Sequence, residues 1–247
     1  MTIDDVIAQL TKIVDEARTT SSRLGYFAAL YRKVTIQVKR GILQGQFRDG
    51  PRMEKLDVVF ASRYLDAFAA LRAGQPVTRS WRVAFAAADR RPLLILQHLL
   101  IGMNAHINLD LGIAAAQVAP GPQLESLEHD FNEINKVLFG LVTGVEQEIA
   151  VVSPWIGWLE AIGGKTDEAI IEFSLGAARK FAWEVAQTLA PLTPEQQAVK
   201  IQELDTVAAL LGTGIVNPPL LLRTKLLCIR ARESNDVARV IGVLSQG

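Results

Sequence analysis

Cysteine is almost missing from this chain. Cys228 stands alone, so no internal disulfide forms and no thiolate pair is available for a metal. It falls in LLLRTKLLCIRAR, where the spacing predicts a small core residue on a buried helix face rather than a nucleophile. Histidine is also scarce, with only His98, His106 and His129. Charge of one sign is absent: 26 Lys+Arg balance 26 Asp+Glu. Without a basic surplus to neutralise phosphates, extended nucleic-acid binding is excluded, and so is bulk electrostatic docking on anionic membranes. No uninterrupted apolar run reaches the roughly 18 residues of a membrane span. The longest, PLLILQHLLIGMNA, is broken by Gln97, His98 and Asn104. The N-terminal segment MTIDDVIAQLTKIVDEA is acidic and amphipathic, unlike an export signal, and the expected location is cytoplasmic. Gly-rich phosphate loops, G-x-S-x-G, H-E-x-x-H and C-x-x-C do not occur. GGKT at Gly163–Thr166 lacks the rest of a phosphate loop, and no strand precedes it.

What is present is helical periodicity. Ile3, Val6, Ile7, Leu10, Ile13 and Val14 repeat at three- and four-residue intervals, with Thr2 placed to cap. Further helices are expected at about 24–44, 53–73, from Val77 to before DRRP, and 92–116, with Pro92 in the first turn of the last. After the loop VAPGPQ the pattern resumes at about 124–149, then a short WIGWLEAI, then 167–190, 194–211, 219–232 and 235–245. Strand-like alternation is lacking. The expected fold is all-α, one domain over 1–247, a bundle of about ten helices.

Polar side chains inside QHLLIGMNAHINLDLG, residues 97–112, break the apolar pattern. Residues four apart share a helix face, and His106–Asp110 and His129–Glu133 both have that spacing. An imidazole and a carboxylate one turn apart either ligate a divalent ion together or orient each other. The short VAPGPQ loop suggests that the two helices are antiparallel neighbours, so both pairs would face one site. Asp57, in an apolar setting, is either a fifth ligand or the ion-pair partner of Arg63 or Arg52. His98 lies about 12 Å along the axis from His106, too far to share an ion. It suits a second ion, a substrate contact or proton transfer, and Asp130 suits a general base. Arg179 is placed either to neutralise a substrate anion or to stack on Trp183 four residues later. The plain alternative is a network of Asn104, Asn108, Asn132, Asn135, histidine and aspartate that only holds helices in register.

LQHLLIGMNAHINLDLG, with LDVVFASRYLDAF upstream and RKFAWEVA downstream, resembles a family of bacterial proteins classed as a domain of unknown function. The His-Ile-Asn-Leu-Asp-Leu core carries most of that resemblance, which implies no particular activity. More loosely, the two pairs are similar to the His-x₃-Asp and His-x₃-Glu ligands of the all-helical zinc-dependent phospholipase C and S1/P1 nuclease group. Asp57 is similar to that group's early carboxylate only in approximate position. The chain departs from the group in starting MTIDD rather than with an N-terminal Trp, and in carrying Ala116 where a further His would stand. Three histidines leave room for one or two ions, not three.

Two expectations follow. The first is a metal-dependent hydrolase, with phosphoesters the leading substrate class. Its ligands would be His106, Asp110, His129, Glu133 and Asp57, with His98 or Asp130 as base and Arg179 as anion contact. Zinc, iron and manganese suit that ligand set equally, and iron would suit an oxidase. The second is a non-catalytic helical protein that binds a small molecule or uses its polar network structurally. Substrate and oligomeric state are not encoded in any motif.

Overall fold

The computed structural model describes residues 1–156 and 175–246. Eleven α-helices and no strand are found among them: α1 (Ile3–Thr19), α2 (Leu24–Leu43), α3 (Gly50–Arg72), α4 (Arg79–Ala87), α5 (Ile95–Ala105), α6 (Gly112–Val118), α7 (Gln123–Val152), α8 (Leu175–Leu189), α9 (Pro194–Val216), α10 (Leu220–Arg230) and α11 (Val237–Leu244). A π-helical turn, His106–Leu111, joins α5 to α6, so that Ile95–Val118 is one continuous helix. The all-α expectation holds. The segment WIGWLEAI and the first part of the helix expected at 167–190 lie largely outside the described residues.

Helix starts follow from donors that must be satisfied. Thr2 caps α1 in a reciprocal box with Asp5. The third helix starts earlier than its apolar spacing suggests, because Asp49 caps it through Arg52 N–H (3.0 Å) and Pro51 sits in its first turn. Pro92, expected in the first turn of the central helix, instead precedes it. That helix begins at Ile95, where Gln97 accepts from Leu94 N–H (2.9 Å) and Glu233 accepts from Ile95 N–H (3.0 Å). Distant acids thus do the work of local caps. Asp205 accepts Arg79 and Ser80 N–H at the start of α4, and Asp130 accepts Arg48 and Asp49 N–H just before α3.

The central helix is long and apolar enough to cross a membrane by composition, yet 89% of its most apolar window is buried inside the protein. Around its α5 half lie α2, α4 and α9, and around the π-turn and α6 lie α3 and α8. Close approach requires two glycines. A Cβ on Gly112 would sit 2.6 Å from the Ala182 carbonyl oxygen, and one on Gly102 would sit 2.6 Å from the Phe27 ring. The helix after VAPGPQ turns back along the central helix, as the loop length suggests: Glu233 accepts from both Ile95 N–H at the start of that helix and Ser153 Oγ at the end of α7. A cavity separates the two helices, so α7 makes its closer contacts with α2 and α11 and meets the central helix mainly at α6.

Cys228 is exposed rather than buried. In α10 the core side is taken by Leu222, Leu226 and Ile229, and Cys228, two residues beyond Leu226, turns to the other face.

Candidate functional site

The polar motif HINLDL is the π-turn itself. Such turns widen the helix by one residue and occur often where a helix carries function. Asp110 is 1% exposed and fully engaged. Its Oδ1 accepts from Arg63 Nε (2.6 Å) and its Oδ2 from Trp81 Nε1 (2.8 Å), with His106 Nδ1 at 3.4 Å from Oδ2. A proton on Nδ1 is the state this contact favours, leaving Nε2 with its lone pair. Burial holds the His106 imidazole below its usual pKa, as does the Arg63 charge, against the pull of Asp110. The ring is packed as well as oriented: Phe60 stacks on it at 3.6 Å between centroids, and Tyr31 meets it edge-on at 4.4 Å.

His106 also borders a cavity of about 240 Å³ whose walls are almost wholly hydrocarbon. Leu99, Leu100, Met103, Leu138 and Val145 are among its lining residues. Tyr31, Asp57 and Arg179 are among the few polar ones. Three atoms of this lining are buried without a hydrogen-bond partner among the described residues: Tyr31 Oη, Asp57 Oδ2 and His106 Nε2. Asp57 pairs with neither arginine proposed for it. Arg63 is taken by Asp110, and Arg52 by Ser126, with Asp49 and Asp130 nearby. Burial therefore pushes the Asp57 carboxyl up to about 7, with a smaller push from Glu54.

Of the remaining predicted residues, Arg179 borders this cavity and His98, His129, Asp130 and Glu133 do not. His129, 39% exposed at its side chain, points Nδ1 at Asp130 (3.2 Å), and its Nε2 is 4.0 Å from Glu133, which also pairs with Lys136. Burial acts to raise the Asp130 carboxyl. Bonds from Arg48 N–H, His129 and Asp49 N–H, with the Arg52 charge, outweigh it and keep the group ionised. As an anion whose two oxygens already accept backbone bonds, Asp130 is a structural acceptor rather than a base. His98 packs edge-on to Tyr26 (5.7 Å), and burial, aided by Arg23 and Arg230, lowers it to about 3. Arg179 lies over Phe131 (4.5 Å), not Trp183, and bonds to Asn135 and to the Phe131 carbonyl. Asn108 donates to Asn104, which donates to the Ala208 carbonyl and ties α5 to α9.

No group of three or more His, Cys, Asp or Glu that could hold a metal ion occurs among the described residues. The donor set does not fit the zinc cluster that the phospholipase likeness implies. Asp110 is engaged by Arg63 and Trp81, and the His129–Glu133 pair lies on another face of α7, beside Asp130 and Lys136. Tyr31 was missed in the sequence. Its visible signal is the four-residue spacing from Phe27, which puts both on the face that stacks toward His106.

No curated protein and no solved structure matches this chain significantly. A family profile does, over residues 3–218, which includes every residue bordering the cavity. The chain belongs to the family of unknown function designated DUF5995.

Proposed function

We propose that the chain binds a small, mainly hydrocarbon molecule in the cavity beside the π-turn, with the molecule's polar group bonded to Tyr31, Asp57 and His106. One observation carries this reading: of the seven buried polar side-chain atoms without a partner among the described residues, three belong to residues that line the same apolar cavity. A buried polar atom without a partner costs roughly 1–3 kcal/mol, so three around one space are best accounted for by a ligand that supplies the missing bonds. An apolar pocket with a few convergent polar groups is also the usual form of a small-molecule site. His106 Nε2 accepts a hydrogen bond, Tyr31 donates one, and the Asp57 carboxyl donates when protonated. A ligand hydroxyl or carbonyl satisfies such a set. A metal-assisted hydrolase would need three or more converging ligands, and no such group is found among the described residues.

Fluorescence titration with the neutral apolar fluorophore 1-aminoanthracene tests the reading. The expected result is saturable one-to-one binding that Val34→Trp abolishes, because the indole fills the space Val34 borders. Equal binding by wild type and Val34→Trp, with both folded by circular dichroism, contradicts it. So does an absence of binding by the wild type.

A further inference from the structure

Arg179 is the charged group that the bond-completing role of Tyr31, Asp57 and His106 does not use. It is 4% exposed and borders the cavity. No carboxylate pairs with it among the described residues. Its contacts are neutral: Asn135 Oδ1 on Nε, the Phe131 carbonyl on Nη2, and the Phe131 ring against its plane. Burial lowers it, to about 10, with no acid among the described residues pulling the other way, so it stays a cation at neutral pH. A buried, unpaired cation is among the more costly arrangements a protein core can hold, and it is normally kept where an anion completes it. Glu146 also borders the cavity but is exposed to water and makes no ion pair with Arg179.

The geometry points to a ligand class: we infer that the cavity takes a medium-chain aliphatic carboxylate with an uncharged polar group on its chain, the charged head bound by Arg179, the uncharged group by Tyr31, Asp57 and His106, and the chain lying along the leucine walls. This rests on the cavity being a ligand site. Two of the guanidinium nitrogens are committed to Asn135 and Phe131, leaving Nη1 as the nitrogen without a bond among the described residues. One remaining nitrogen matches one carboxylate oxygen, whereas a phosphate dianion calls for several donors. Apart from Tyr31, Asp57, His106 and Glu146 the rest of the lining is hydrocarbon, which suits an alkyl chain rather than a sugar or nucleotide.

Competition against bound 1-aminoanthracene at pH 7 tests the class, using decanoate, decanol, decylamine and decyl phosphate below their aggregation concentrations. For the wild type, decanoate is expected to displace the fluorophore at about tenfold lower concentration than decanol, with decylamine weakest. Arg179→Met should bring decanoate and decanol together while leaving decanol unchanged, and Arg179→Lys should keep part of the preference. Equal potency of decanoate and decanol on the wild type overturns the inference even if Arg179→Met fails to fold. A preference that survives in Arg179→Met overturns it as well, and decyl phosphate outcompeting decanoate overturns the single-oxygen argument. In each of these cases fluorophore binding persists and the cavity reading stands. If the wild type binds no fluorophore, the cavity reading itself fails and this inference with it.

Discussion

Five acids are buried among the described residues, and their carboxyls meet three different fates. Asp130, Asp205 and Glu233 accept backbone N–H groups at helix starts, and Asp110 accepts from Arg63 and Trp81. Asp57 Oδ2 accepts from nothing described. With its folded carboxyl pushed up to about 7, the unfolded chain releases this proton near pH 4 and the folded chain holds it until about pH 7. The folded state therefore binds more protons through that window, and stability falls as pH rises from about 4 to about 7, by on the order of 4 kcal/mol. Asp57→Asn should remove that loss. Urea melts at pH 5 and pH 8 should show the variant gaining on wild type at the higher pH, and a constant difference would contradict the assignment. Comparing variant with wild type isolates Asp57, because His98 and His106 act with the opposite sign in both. Lowered to about 3, His98 stays neutral in the fold, so its contribution is intact above about pH 6.5 and is lost as pH falls toward 3. His98→Phe keeps the edge contact with Tyr26 and should move the acid-unfolding midpoint to lower pH, as read by circular dichroism. Asp110→Ala should cost about 3–5 kcal/mol in chemical denaturation, since it strands the Trp81 N–H and His106 Nδ1 in the core.

At the level of elements, the π-turn and its neighbours decide how much the sequence could disclose. The face of α1 was legible because Ile3, Val6, Leu10, Ile13 and Val14 obey the helical period that burial imposes. His106 and Asp110 were legible as a pair for the same reason. Their role was not, since Arg63 and Trp81 arrive from α3 and α4 and no local pattern announces them. Neither was the π-turn, because HINLDL has the composition of an ordinary buried helix. The start of the central helix was misplaced at Pro92 because its true cap, Glu233, is 138 residues away. His129 and Glu133 show the limit of spacing arguments, since a loop's length brings the next helix back alongside but does not say which of its faces will turn inward. Gly112 tests the packing against α8. Gly112→Ala would drive a methyl to within 2.6 Å of the Ala182 carbonyl oxygen, and a loss of about 1–3 kcal/mol in thermal or urea unfolding is expected. A neutral effect would mean that α8 sits farther from the π-turn than described.

Over the whole molecule, helices from both halves of the chain enclose one apolar space. Phe27 and Tyr31 come from α2, Asp57 and Phe60 from α3, His106 from the π-turn, Ile134 and Leu138 from α7, and Arg179 from α8. The all-α class could be read from periodicity. A cavity could not, because it is made by what long-range packing leaves unfilled. If no metal holds the fold, a strong chelator should leave the melting temperature within about 1 °C of its starting value, whereas removing a structural metal would lower it markedly. The central claim is that Tyr31, Asp57 and His106 wait for a polar group carried by a hydrocarbon ligand. A crystal structure with 8-bromo-1-octanol tests it most directly. The account predicts an anomalous bromine peak within the leucine-lined cavity and the hydroxyl within about 3.2 Å of at least one of those three atoms. Bromine found only outside the cavity, with the three atoms still unbonded or bonded to water, would contradict it.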